Sequence, residues 1–253
     1  QHYGTGLRLK HCYKTADFRK LARRRLPSPI FHYIDGGADD ETTLRRNTDA
    51  FESIDLVPNV LAGVDSVDTS VTVLGQRLKF PLFFSPTAMQ RLFHHDGERA
   101  IARTAEKLGT MFGVSTIGTR SIEELGALTA APKLFQIYIH NDSGLTSELI
   151  ARCKRSGFDA LALTVDTIVA GNRERDYLTG MTTPPRLTPK SLLSFAMHPR
   201  WTCNYAFRER FDLPNISTHT QVGSGVQSSI IDYINGQMKR LIDWDDAARM
   251  IEE

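Results

Sequence analysis

Apolar residues recur along the middle of the chain in two alternating rhythms. Short runs of strand length are separated by longer stretches in which apolar positions return at helical spacing. Pro81–Ser85 opens the series. Asp96, Gly97 and a helical pattern over Arg99–Leu108 follow, stopping at Gly109 as helices often do. Met111–Ser115 predicts a second strand. "SIEE" then places Glu124 three residues after Ser121, the capping-box spacing that opens a helix. Leu134–Ile139 predicts a third strand, followed by a helix from about Gly144 to Ser156 that Gly157 closes. Ala160–Val165 is the fourth. Strands alternating with helices every 25–30 residues or so predict βαβ units, a parallel sheet and the α/β class.

The flanks have a different texture. Residues 1–80 read as an N-terminal extension: a helix over Asp17–Arg25, a break at "LPSP", a helical stretch carrying "FHYIDGGADDETTLRRN", and short strands around Val71 and Leu78. Residues 81–253 read as the repeating αβ part, interrupted from Gly180 to Asp243 by a long segment rich in Pro, Ser and Thr. Only a helix near Ser228–Ile234 is predicted within it. Asp243 and Asp246 then cap an amphipathic helix running to Glu253.

A closed barrel and an open sheet both fit the βα rhythm, so the polar residues at strand ends have to decide. Gln136 and Tyr138 lie two apart, as do Thr164 and Asp166, so each pair projects to one side of its strand. Ser85, Thr87 and Ser115 occupy the equivalent ends of the first two strands. In a TIM barrel those ends build the active site. Polar groups also gather where strands leave a core simply to meet water or cap the next helix, and for one residue that explanation suffices. Seven residues over four successive strands point to a site.

Composition narrows the function classes. With 41% hydrophobic and 24% charged residues, the chain has the make-up of an ordinary globular protein, not of a disordered one. A net charge of +2 argues against a nucleic-acid footprint across the whole surface. Cys12, Cys153 and Cys203 are widely separated, which suits a reducing compartment and implies no metal site. No signal-peptide pattern is present, and no apolar run approaches the roughly 20 residues of a spanning helix, so a cytosol-facing location is expected.

Other motifs carry less. His94, His95 and Asp96 suggest metal ligation, but adjacent residues rarely aim at one ion and helix entry explains them more simply. "VGSGVQ", residues 222–227, lacks the strand, helix and Lys-Ser/Thr of a phosphate loop. No G-x-G-x-x-G follows a strand, which disfavours a nicotinamide on a Rossmann domain. Residues 188–211 mix Leu, Phe, Trp and Tyr with Lys190, Arg200, Arg208 and Arg210 against Glu209 alone, a mixture suited to a membrane interface or to a loop packed by apolar anchors.

Five stretches, in order, give the chain a family likeness: "FHYIDGGADDETTLRRN" (31–47), "SPTAMQRLFHHDGE" (85–98), "VSTIGTRSIEEL" (114–125), "FQIYIHND" (135–142) and "LTVDTIVAGNRERD" (163–176). Together they resemble the N-terminal part of the FMN-dependent 2-hydroxy acid dehydrogenases and oxidases, which include flavin L-lactate dehydrogenases, mandelate dehydrogenase and glycolate oxidase. "FHYIDGGA" and "HPRW" are most similar to the membrane-associated lactate and mandelate enzymes.

That resemblance implies a TIM (β/α)8 barrel behind an N-terminal helical extension, with about four βα units in this chain, and FMN as cofactor. It implies that Pro86, Thr87, Ala88, Ser115, Gln136 and Thr164 hold the flavin. Tyr33 and Arg173 would bind the substrate carboxylate, for which the planar arginine fork is suited. Tyr138 would contact substrate near the reacting carbon, Ile117 would line the side-chain pocket, and Asp166 would support a catalytic histidine.

Blander readings stand beside these. Tyr33 could be a half-buried residue of the extension, Gln136 could satisfy a buried backbone group, and Thr164 could be chosen for its β-branch. "RERD", residues 173–176, resembles a solvated run of alternating charge, which is the reading adopted for Glu174 and Arg175.

The family's histidine, second arginine, flavin lysine and phosphate-binding loops belong to strands five to eight, and no segment of this sequence matches them. They are expected beyond residue 253. The expected activity is oxidation of an L-2-hydroxy acid of lactate or mandelate type to the 2-oxo acid, with electrons passed to a quinone or other carrier. An oxidase using O2 and a non-catalytic barrel fragment are the alternatives. A small 2-hydroxy acid, the electron acceptor, a membrane surface met through 188–211 and further copies in a homo-oligomer are the expected partners. Nucleic acid is not among them.

Overall fold

A computed structural model describes residues 9–166, 169, 171–182, 186–209, 211–216, 238–239 and 241–253. Its helices are α1 (Thr15–Arg25), α2 (Ser28–Asp35), α3 (Thr42–Asp49), α4 (Glu98–Leu108), α5 (Ile122–Leu128), α6 (Ser143–Arg155), α7 (Glu174–Thr179), α8 (Pro189–Met197), α9 (Pro199–Phe207) and α10 (Trp244–Glu252). Its strands are β1 (Val71–Val73), β2 (Gln76–Leu78), β3 (Phe112–Ser115), β4 (Lys133–Ile137) and β5 (Ala160–Leu163). Two compact units emerge, Gln1–Asp49 with Gly171–Arg210, and Ala50–Ala170 with Phe211–Glu253. The first thus unites segments from both sides of the residue-80 boundary expected from chain order.

In the larger unit β3, β4 and β5 form a parallel sheet in sequential order. Phe84 adds a fourth, parallel position beside Phe112, its N–H bonded to the Met111 carbonyl at 3.1 Å and its carbonyl to the Gly113 N–H at 2.7 Å. The expected strand Pro81–Ser85 is therefore reduced to one bridge. Helices α4, α5 and α6 make the crossovers, each following its strand position as a βαβ unit requires. This is the arrangement of the first four βα units of a (β/α)8 barrel.

The two-residue period of the strands sorts their side chains. Phe112, Val114, Phe135 and Ile137 point to one face and bury with Ala102, Ala105, Ile122, Leu125, Leu145, Leu149 and Ile150 of the helices. On the opposite face Leu134, Ala160 and Ala162 join Met111 under the β1–β2 hairpin, which contributes Leu78, Val71 and Val73. The hairpin closes one end of that face with hydrocarbon. The other end, at the strand C-termini, is left to polar groups.

Helix boundaries follow local chemistry. The Ser121 hydroxyl accepts from the Glu124 N–H at 3.1 Å, and Asp243 and Asp246 complete a reciprocal capping box. In α6 the Asp142 carboxylate accepts from Gly144 N–H at 2.9 Å. Residues 180–243, expected to be mostly loop, contain α8 and α9. Each opens on a proline at its first position, where the missing N–H costs nothing, and Thr188 caps α8. Composition rich in Pro, Ser and Thr concealed both helices. The helix expected at Ser228–Ile234 and the segment "VGSGVQ" lie outside the described residues. Among the described residues no helix is long and apolar enough to cross a membrane. No disulfide joins Cys12, Cys153 and Cys203 among the described residues, and burial pushes the Cys153 thiol up to about 12.

Outside the sheet, Arg152 ties α6 to α5 through a two-pronged pair with Glu123, at 2.7 and 2.8 Å, and also reaches the Asn215 carbonyl at 3.3 Å. The fully buried Asn215 in turn accepts from the Ile122 N–H at 3.0 Å, satisfying an orphan donor at the start of α5. The Arg152 hydrogen bonds outweigh partial burial and hold the Glu123 carboxyl down at about 2 against an ordinary 4.5. A depressed folded-state value stabilises the fold above the unfolded-state value and loses that contribution as pH falls through the folded one. Glu123→Gln is therefore expected to lower the thermal midpoint at pH 6. The gap to wild type should close between pH 4.5 and about 2, as followed by circular dichroism.

Candidate active site

The polar end of the sheet carries a continuous hydrogen-bonded row. The Ser115 hydroxyl donates to Gln136 Oε1 at 3.1 Å, and Gln136 Nε2 donates to Thr164 Oγ1 at 2.7 Å. Three adjacent strand ends are thus joined by side chains of the inner face. Register explains the meeting: Ser115 pairs with Gln136, and Gln136 with Ala162, two residues before Thr164. Ser115 and Gln136 are buried and Thr164 half-buried.

Thr116, absent from the sequence expectations, reinforces the row. Its N–H reaches Gln136 Oε1 at 3.3 Å and its hydroxyl donates to the Gln136 carbonyl at 2.7 Å. Its neighbour Ile117 is 7% exposed and its N–H donates to the Ser115 hydroxyl at 3.2 Å.

The loop after Phe84 lies along the same end. Pro86 packs so closely on Gly113 that a Cβ there would sit 2.6 Å from the proline ring, which explains a glycine in mid-strand. Beyond Thr87 and Ala88, the Met89 N–H donates to the Ile117 carbonyl at 3.0 Å. Glu98, only 1% exposed, accepts from Thr119 N–H at 2.8 Å and from its hydroxyl at 2.6 Å, tying the start of α4 to the loop after β3.

Tyr138 stands two residues beyond Gln136 and is half-buried, and Asp166 is exposed two residues beyond Thr164. Burial first, and then the Asp166 charge, pushes the Tyr138 phenol up, while a hydrogen bond with Gln136 opposes them. Raised from an already high ordinary value, the phenol keeps its proton at neutral pH. Pro86, Thr87, Ala88, Ser115, Ile117, Gln136, Tyr138, Thr164 and Asp166 all belong to this unit.

Tyr33 and Arg173 belong to the smaller unit, which brings them together. The Arg173 guanidinium carbon lies 5.1 Å from the Tyr33 ring centroid, Nη2 donates to the Tyr33 carbonyl, and Nε donates to Asp176 Oδ2 at 2.7 Å. A second ion-paired group braces them. Arg175 spans Asp35 at 2.9 Å and Glu41 at 2.5 Å, and Asp35 also receives Arg19 Nη2 at 2.8 Å. Hydrogen bonding from Arg19 pulls the Asp35 carboxyl down, and the Gly37 N–H does the same for Glu41. Arg175 crosses Gly36, where a Cβ would meet the His32 carbonyl at 2.8 Å and the arginine stem at 3.1 Å.

The expectation that Arg175 belongs to a solvated face is thereby corrected; Glu174 is exposed as expected. The missed signal was the acidic pair Asp35 and Glu41, flanking the glycines of the motif that also holds Tyr33.

His94, His95 and Asp96 bring three possible ligand atoms within 4.8 Å of one another, so adjacency does not keep them apart. Each atom set also has local work. His94 Nδ1 accepts from the Asp96 N–H at 3.3 Å, His95 Nε2 lies 3.6 Å from the Asp96 carboxylate, and the Asp96 carbonyl accepts from Arg99 N–H at the entry to α4.

Gln136→Leu would strip side-chain partners from Ser115 and Thr164 together, while Thr116 keeps the backbone carbonyl of residue 136. A loss of about 1–3 kcal/mol is expected from unsatisfied buried groups, measured as a lower denaturation midpoint at unchanged m-value.

Residues 22–253 match the sequence pattern of the family described as FMN-dependent dehydrogenase. Glycolate oxidase 1 of Oryza sativa subsp. indica is 34% identical over 91% of this chain and 56% of its own length. The L-lactate dehydrogenase of Alcaligenes faecalis is 34% identical over 92% of this chain and 61% of its own. The crystal structure of the monotopic membrane protein (S)-mandelate dehydrogenase superposes with a TM-score of 0.83 at 29% identity, covering 92% of this chain and 62% of that one. The chain thus spans 56–61% of the length of the two curated relatives.

Proposed function

The chain belongs to the FMN-dependent dehydrogenase family, and from that premise we propose that this protein oxidises an L-2-hydroxy acid of lactate or mandelate type to its 2-oxo acid. The observation that carries the reading is the row Ser115–Gln136–Thr164 at the strand ends. Hydroxyl and carboxamide groups both donate and accept, which is what the alternating polar edge of a flavin ring requires. Those three side chains, with the backbone of Pro86, Thr87 and Ala88, would hold FMN. When bound, FMN supplies the two-electron acceptor that no side chain provides.

The remaining residues have substrate-directed tasks. Arg173, steadied on the Tyr33 ring, presents a cation and further N–H donors to the substrate carboxylate. Tyr138 would offer its phenolic O–H as a hydrogen-bond donor to substrate oxygen near the reacting carbon. Asp166 supplies the negative charge that orients a proton-accepting imidazole and stabilises its protonated form. Ile117 offers an apolar wall for the substrate side chain.

An anaerobic panel of 2-hydroxy acids tests this reading, with loss of flavin absorbance expected for lactate or mandelate. No bleaching by any member of the panel would sink it. Oxygen consumption against dye reduction separates an oxidase from a dehydrogenase, and dye reduction is the expected result.

Transfer of electrons to a membrane quinone is favoured by the surface of α8 and α9. Leu192, Leu193, Met197 and Phe207 are 56–84% exposed on a segment that also carries Lys190, Arg200 and Arg208. Trp201 stacks on Tyr205 with centroids 5.1 Å apart, adding amphipathic rings suited to a headgroup layer. Peripheral docking through 188–211 follows from that mixture. The protein should float with vesicles containing anionic lipid. Leu192→Glu with Leu193→Glu should leave it in the soluble fraction, and equal flotation of both forms would remove the docking role.

A further inference from the structure

Asp176 has no role in the functional reading above, yet it is 9% exposed and one of its two oxygens, Oδ1, is buried without a hydrogen-bond partner. Its other oxygen accepts from Arg173 Nε at 2.7 Å, and its N–H donates to the Arg173 carbonyl at 3.0 Å. Burying a carboxylate with one oxygen unsatisfied costs stability, and among the described residues its ion pair with Arg173 is what offsets that cost. We propose that Asp176 is a positioning residue that fixes the Arg173 guanidinium for the carboxylate of the 2-hydroxy acid. The proposal rests on the assignment of Arg173 to substrate binding.

The geometry limits what Arg173 can offer. A guanidinium has five N–H donors. Asp176 occupies Nε, the Tyr33 carbonyl takes one donor of Nη2, and the Tyr33 ring lies against the carbon between them. One side edge is thus engaged while both donors of Nη1 and the second of Nη2 remain, the end-on fork that meets a carboxylate with two parallel bonds. Without Asp176 the side chain regains its rotamers, and substrate would have to order it on binding.

A carboxylate in the first turn of α7 could instead serve only the helix dipole. The two roles separate experimentally. The ligand is 2-hydroxy-2-methylpropanoate, a 2-hydroxy acid with no hydrogen on C2, whose binding to the FMN-loaded protein is read from the flavin spectrum without turnover. Asp176→Asn is expected to weaken this binding about tenfold and to raise KM for the oxidised acid similarly with kcat little changed, the pattern of lost uniform binding.

In an Arg173→Gln background the same change should have no effect on binding, because the residue acts through the arginine. Asp176→Glu, which keeps the charge but displaces it, carries the same comparison if Asp176→Asn does not fold. Unchanged binding in both Asp176 variants overturns the positioning role, as does an equal loss in the Arg173→Gln background. A wild-type protein that neither binds the ligand nor bleaches with any 2-hydroxy acid overturns the functional reading along with it.

Discussion

A carboxamide buried at the end of a parallel strand needs partners for both its oxygen and its nitrogen, and for Gln136 they come from the strands on either side. Ser115 and Thr116 serve the oxygen, Thr164 the nitrogen. This requirement couples register to chemistry. Moving β4 by one residue against its neighbours would turn Gln136 toward Ala102, Leu125 and Leu149, and bring Phe135 or Ile137 to the polar end. An unpaired amide inside hydrocarbon is strongly disfavoured. The apolar pairings and the polar row therefore select the same alignment, and the site is a by-product of the only register that satisfies both.

The inner face is consequently divided along its length. Beneath the row, small residues Ala160 and Ala162 leave space that the β1–β2 hairpin fills with Leu78. Above it, Gly113 has no side chain so that Pro86 can lie against the strand, which lowers the first loop onto the end of β3. At the margins of the arc the apolar side chains of Leu82, Phe83 and Val165 are 46–69% exposed.

Much of this was legible in the chain. The four strand positions and the helices between them follow from periodicity, because a parallel sheet buried on both faces writes a near-continuous apolar run. The polar pairs at i and i+2 pointed to the strand ends where Ser115, Gln136 and Thr164 meet, because a two-residue period leaves only one face for both members of a pair. What stayed hidden lacks local pattern. Helices α8 and α9 begin on prolines, usually read as breakers. Thr116 sits beside Ser115 on the opposite parity, and its part in the row depends on its backbone position, not on any period. The partners of Arg175 lie in α2 and in the loop after it, at separations of 140 and 134 residues.

Those distant partners change what a charged run means. In "RERD" the four residues look equivalent, yet only Glu174 behaves as a solvated charge. Arg175 is committed to two carboxylates, and Asp176 to Arg173. A surface run of alternating charge contributes little, because exposed pairs are screened and their side chains are mobile. Here Asp35 and Asp176 have side chains only 9% and 13% exposed, which strengthens each pairing and makes each loss of a partner more damaging. Arg173 is left as the one arginine of the pair whose partners engage a single side of its guanidinium. Burial of the neighbours, not the sequence run itself, is what sets that arginine apart as the group with donors still to give.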